Sequence, residues 1–250
     1  MNALRTAGLE VFEEILADEK EKVPRGTLNE SKLSQSIART KNSIFELAFC
    51  NEWDYFFTAT LDPKKYPRDD LKKFRKELTE FIRNQNKKHI TNIKYLLIPE
   101  LHKDGKSWHM HGFLSGLPPE EVIPFRIGDK MGKAIAEKIK NGEEVFSWNK
   151  YQKKFGFCDL EKIKNAECVS KYVMKYITKD LGRCVTALNE NMYFHSQGLR
   201  KAEIIKKGTM SLNIVPDYIG EYCSVATLTY SPEKLNEILA NINSNKIIKH

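Results

Sequence analysis

The sequence predicts a fold of the α+β class, and three observations predict it. Residues 53–61 are crowded with aromatic side chains and threonine, the composition of a strand. Residues 94–102 and 107–117 read as two more strands joined by Lys103-Asp104-Gly105-Lys106, and Asp-Gly between extended runs is a strong hairpin signal. On either side of this hairpin the apolar period changes to three and four. Leu71, Phe74, Leu78, Phe81 and Ile82 mark one helix, and Ala166, Val169, Val173, Ile177 and Leu181 mark another.

In chain order, the first 50 residues read as helical and charged, and Ile37, Ile44 and Leu47 have the spacing of a helix over 35–47. The strand over 53–61 follows. Pro63 and Pro67 punctuate a loop, and Asp69 and Asp70 open the next helix. After the hairpin, residues 118–142 are polar, with a short helix predicted over 133–140. Two short strands are predicted over 145–148 and 155–160, then a helix over 164–181. Residues 200–206 and 222–230 look extended, and Pro232 starts a final helix over 232–240. The expected organisation is an N-terminal helical extension (1–45), a core (46–185) and a C-terminal extension packed on it (186–250).

A hydrophobic fraction of 41% is enough to bury a core, and the 30% of charged residues are too many for a membrane protein. No apolar run reaches the ~18 residues of a membrane span, and no secretory signal is expected. The five cysteines form no Cys-x-x-Cys pair, so neither a disulfide framework nor a zinc ribbon is indicated, and a reducing cytosol is the expected home. A net charge of +8 favours polyanion partners, although many basic proteins bind no nucleic acid. No Gly-x-x-x-x-Gly-Lys-Ser/Thr phosphate loop occurs, so no fused ATP-driven helicase is expected.

The hairpin carries the sharpest chemical signal. With Asp104 and Gly105 central in a type I′ turn, Lys103 pairs with Lys106, His102 with Ser107 and Glu100 with His109. Side chains alternate with period two, so His109 and His111 share a face and Glu100 lies across from His109, with Cβ atoms about 4.5–5.5 Å apart. Two imidazoles and one carboxylate can converge on an ion and leave positions open for water and a substrate phosphate. The mixed nitrogen and oxygen donors suggest Mn2+ or Mg2+ rather than closed zinc. His102 falls on the same face nearer the turn and reads as a rim residue, with a three-histidine site as the lesser alternative. The plain alternative is a polar hairpin face that binds nothing.

The helix over 164–181 carries a second signal. Tyr172, Lys175, Tyr176 and Lys179 form a stripe about 100° from the aliphatic one, so it can face a substrate while the other packs on a sheet. A phenol with a pKa near 10 needs help to attack a phosphodiester, and a nearby lysine can stabilise the phenolate. Attack leaves a phosphotyrosine and a free 3′ hydroxyl, and its reversal joins strands without ATP. The plain alternative is a surface helix with boundary tyrosines and solvated lysines.

Three blocks in this order resemble the HUH endonucleases, the rolling-circle replication initiators of small phages, plasmids and single-stranded DNA viruses. Phe57-Thr58-Ala59-Thr60-Leu61 resembles their first strand motif. Glu100-Leu101-His102 through His109-Met110-His111 resembles their metal motif, and Tyr172-Val173-Met174-Lys175-Tyr176-Ile177-Thr178-Lys179-Asp180 their tyrosine motif, here doubled. The text around Asn51-Glu52-Trp53 and Pro99-Glu100-Leu101-His102 is similar to initiators carried by phages and integrated elements of Gram-positive bacteria. The likeness spans about residues 40 to 182. It implies a ferredoxin-like antiparallel sheet of about five strands flanked by helices, with metal ligands on the central hairpin and the tyrosine on a facing helix. It also implies single-stranded or hairpin origin DNA as substrate, a host helicase and polymerase as partners, and a bacterial host cytosol as location. Tyr176, followed by Lys179 and Asp180, matches more fully than Tyr172 with Lys175, and the two tyrosines can alternate between cleavages. Past Gly182 no motif is matched; Arg200, Lys201, Lys206 and Lys207 can contact phosphates or simply be solvated.

Three other readings compete. A transposase or mobilisation relaxase would use the same chemistry. A basic nucleic-acid-binding module would use none. A barrel-type metal-dependent oxygenase would need a further distant histidine, His195 or His89, and would leave the tyrosine helix unexplained.

Overall fold

The computed structural model describes residues 30–164, 169, 172, 192–210, 212–216, 218–219, 224–226 and 228–243. The chain forms two compact units, one of Met1–Cys50 with Arg200–His250 and one of Asn51–Leu199. In the first, α1 (Glu30–Phe49) is joined by a helix at Pro232–Ala240 and by two short antiparallel strand pairs. The Glu46 carboxylate accepts from the Ala202 amide at 3.0 Å, and Ser231 caps the Pro232–Ala240 helix by accepting from Lys234 N.

The second unit holds the sheet. Its elements are β1 (Tyr55–Thr60), α2 (Leu71–His89), β2 (Lys94–Leu101), β3 (Trp108–Ser115), β4 (Val122–Pro124), α3 (Lys133–Lys140), β5 (Val145–Trp148), α4 (Asn149–Lys154), β6 (Cys158–Lys162) and β7 (Phe194–His195). They form an antiparallel sheet in the order β4-β5-β6-β1-β3-β2-β7. Strands β1 and β2, joined through α2, both run antiparallel to β3, which lies between them. This split β-α-β unit makes the fold α+β and compatible with a ferredoxin-like arrangement.

One face of the sheet is the core. Phe57 and Ala59 of β1, Leu97 of β2, Met110 and Leu114 of β3, and Cys158 and Leu160 of β6 are all buried there. Helix α2 closes this face with Phe74, Leu78, Phe81 and Ile82, the positions its apolar period selects. Asp70 caps α2 by accepting from Lys73 N at 2.9 Å. Trp148, Tyr151 and Phe155 fill the space beside Phe57 and Phe81, and the buried Tyr151 hydroxyl donates to the Thr60 carbonyl at 3.1 Å.

The sheet has two strands more than the expected five. Both additions are edge strands of two or three residues, too short to show an alternation. The segment expected as a strand over 155–160 begins pairing only at Cys158, because α4 occupies 149–154 and the chain turns after it. Residues 200–207 have no regular structure, and among the described residues of 222–230 only Ser224–Val225 is a strand. The hairpin turn is not type I′. Gly105 has φ +70, but Asp104 does not share the positive φ that a I′ turn requires. Instead the Gly105 amide donates to the His102 carbonyl, and Asp104 accepts from Lys106 N, Ser107 N and Ser107 Oγ. Lys103 and Lys106 are therefore loop residues, not a strand pair. The pairing of Glu100 with His109 is as expected, since four residues separate His102 from Ser107 under either turn.

Candidate active site

The opposite face of the same strands is polar at its centre. Thr58 pairs with His111 on β3 and Asp159 on β6, Thr60 pairs with His109, and His109 pairs with Glu100 on β2. Because paired residues point to the same side, these six side chains share one face. The Nε2 of His111 lies 3.3 Å from Glu100 Oε2, and its Nδ1 lies 3.3 Å from Thr58 Oγ1. The Nδ1 of His109 lies 3.0 Å from Thr60 Oγ1. Among the described residues, His109 Nε2 is buried without a hydrogen-bond partner.

The electrostatics follow from this crowding. Burial, and then the charges of His102 and Arg68, push the His109 imidazole below the ordinary histidine range. Burial pushes Asp159 up to about 6, against the stabilising Thr58 hydroxyl. Hydrogen bonds from Ser107 and Lys106 hold the Asp104 carboxyl well below its usual range. His102 is exposed at the rim, its ring 4.9 Å from that of His109.

Tyr172 reaches the same face one pair further along the strands. Its ring stacks on Phe56 at 4.0 Å and meets the edge of Phe113 at 5.3 Å, and Phe56 and Phe113 are cross-strand partners. Val169 and Tyr172 are helical, as the apolar stripe predicts. Lys175, Tyr176 and Lys179 lie outside the described residues. His195 sits on β7 opposite Leu96, two strands from His111, and at a strand spacing of about 4.8 Å it is roughly 10 Å away across the sheet alone. His89 Nε2 is 3.2 Å from Lys150 Nζ at the end of α2. Neither histidine joins the cluster, and the sheet is open rather than a barrel, so the oxygenase reading is not supported.

Residues 54–181 match a family model of replication-associated proteins, the ORF2 type, over just over half of the 250-residue chain. The chain belongs to this family. No curated protein and no solved structure matches it. In this replication-associated protein the matched segment runs from the residue before β1 and takes in Glu100, His109, His111, Tyr172, Lys175, Tyr176 and Lys179. No helix among the described residues is long and apolar enough to cross a membrane.

Four residues of the face escaped the sequence reading. Thr58 and Thr60 sit inside the first strand motif, yet nothing in the sequence gives them a histidine each. Asp159 follows the alternation Cys158-Asp159-Leu160-Glu161, but its place beside Thr58 depends on the β6–β1 pairing. Arg68, in the loop before α2, accepts from the Trp108 amide at 2.8 Å through its carbonyl, and its Nε is buried without a partner among the described residues.

Proposed function

We propose that this chain is a replication initiator of the HUH endonuclease type, which nicks and rejoins single-stranded or hairpin origin DNA through a tyrosine and a divalent ion, Mn2+ or Mg2+. The observation that carries the reading is the trio Glu100, His109 and His111 on one sheet face, inside the segment matched by a replication-associated family. Among the described residues no three His, Cys, Asp or Glu side chains are already drawn into a ligand cluster. The donors nonetheless fit a divalent ion. His111 Nε2 and Glu100 Oε2 face each other at 3.3 Å, a separation that calls for a proton or a metal between them, and the orphaned His109 Nε2 is an unused ligand atom beside them. A bound metal would withdraw charge from the scissile phosphate.

The chain's own residues do the rest. A phenol, Tyr176 or Tyr172, loses its proton and attacks phosphorus. The Tyr O–P bond forms, the P–O3′ bond breaks, and the 3′ oxygen leaves and takes up a proton. The product is a 5′-phosphotyrosine link, whose attack by a 3′ hydroxyl rejoins the strand. Lys175 and Lys179 stabilise the phenolate or the phosphate charge. The stacking of Tyr172 on Phe56 supports a division of labour, in which Tyr172 seats the helix and Tyr176, four residues on, attacks. The family favours the replication role over a transposase or relaxase using the same chemistry. A host helicase and polymerase would complete the reaction in a bacterial cytosol.

The test is incubation with labelled single-stranded origin DNA and Mn2+. An SDS-resistant protein–DNA adduct is expected, lost with EDTA and lost in Tyr176→Phe but only reduced in Tyr172→Phe. An adduct that persists in the double Phe variant removes the tyrosine assignment. Cleavage with no adduct would point to a nuclease that uses water.

A further inference from the structure

The hydrogen bonds on the polar face have a direction. Thr58 is the cross-strand partner of both His111 and Asp159. Its hydroxyl bonds the Asp159 carboxylate and lies 3.3 Å from His111 Nδ1. A hydroxyl has one proton to give, and an ionised carboxylate can only accept. The Thr58 proton therefore points to Asp159, and its oxygen accepts from His111 Nδ1–H. That order leaves the Nε2 lone pair facing the Glu100 carboxylate 3.3 Å away. Two acceptors so placed repel unless a cation stands between them.

His109 leads to the same arrangement by another route. Thr60 Oγ1 can satisfy its Nδ1 at 3.0 Å, whereas its Nε2 is buried with no partner among the described residues. A ring proton on Nε2 would be a buried orphan donor, which native structures avoid more strictly than an under-used acceptor. The proton belongs on Nδ1, and the Nε2 lone pair is left available.

We infer that Thr58, Thr60 and Asp159 are positioning residues, which hold the ring protons of His111 and His109 on Nδ1 and so aim both Nε2 lone pairs, with Glu100, at one cation. The cation rests on the function proposed above; the proton order does not. None of the three need touch the substrate. Their role is to remove the wrong tautomer, which would present an N–H to the ion.

The test uses the full chain without metal and with 15N-labelled histidine. At about pH 8, above the ordinary histidine pKa, long-range 1H–15N correlations should place the His111 proton on Nδ1 in the wild type. Asp159→Asn offers Thr58 an amide donor and frees the Thr58 proton to turn toward Nδ1. The His111 pattern should then move toward the Nε2–H form. Thr58→Ser, which keeps the hydroxyl, should retain the wild-type pattern. On the same samples Mn2+ affinity should fall about 10–100-fold in Asp159→Asn and in Thr58→Val, and hold in Thr58→Ser. A His111 proton that stays on Nδ1 in both Asp159→Asn and Thr58→Val overturns the inference. A tautomer shift in a wild-type background that binds no Mn2+ upholds the positioning role and overturns the metal reading instead.

Discussion

The two faces of the central sheet are built from the same strands and obey opposite rules. Toward α2, Phe57, Ala59, Leu97, Met110 and Leu160 are buried and apolar. On the other side the intervening residues Thr58, Thr60, Glu100, His109, His111 and Asp159 are partnered by hydrogen bonds and charge. Burying a large apolar side chain stabilises the fold by about 1.5–3 kcal/mol, whereas a typical hydrogen bond contributes ~1 kcal/mol net. The core face therefore sets the register. The polar face inherits it, because a slip of one residue would turn every histidine into the core. Placement of the candidate ligands is a by-product of packing on the far side of the sheet.

Substitutions should separate the two faces. His111→Ala should break only the polar one: Mn2+-dependent adduct formation falls by about 10²–10³-fold or more while the thermal melting point is kept. Loss of folding in this variant would mean that the polar face also sets the structure. Gly112→Ala should damage both faces, since an added Cβ would collide with the Leu96 carbonyl between β2 and β3. Urea unfolding should show a loss of about 3 kcal/mol or more, the upper range for overpacking.

Asp159→Asn sharpens the comparison through pH. The carboxyl rises from 3.8 to about 6 on folding, a little over two units, so its charged form is disfavoured in the fold by about 2–3 kcal/mol. A raised carboxyl pKa means that the native state binds the extra proton. The wild type should therefore be at its best relative to Asp159→Asn below about pH 4, and lose that advantage as pH rises through about 6. Metal-free urea unfolding at a series of pH values measures this, and parallel curves for the two proteins would contradict it. The smallest effect is expected at the rim. Arg68 has a buried Nε with no partner among the described residues, beside His109. If it meets a DNA phosphate, Arg68→Gln should weaken single-strand binding several-fold and flatten the log K against log salt slope by about 0.7. An unchanged slope would leave Arg68 with a purely structural part.

The sequence made local pairings legible and left distant ones hidden. The Glu100–His109 register could be read because the two strands are adjacent in the chain and the loop length is even. It survives even though the turn is an Asp104-centred loop rather than type I′. Helix α2 could be read because its apolar period is uninterrupted. Asp159 could not be given a role, because only the β6–β1 pairing brings it to Thr58, and no local signal specifies that pairing. The tyrosine stripe could be read as a face, and Tyr172 does lie on the same sheet face as the histidines, held by Phe56 and Phe113. Strands β4 and β7 were too short to announce themselves.

The idea of a divalent ion seated on the polar face is tested most directly by adding Mn2+ to the histidine-labelled chain and following each imidazole by paramagnetic broadening. Signals of His109 and His111 should vanish at the lowest additions, with those of His89 and His195 persisting, and Glu100→Ala should abolish the selectivity. Uniform broadening of all four, or none at His109 and His111, would contradict the account.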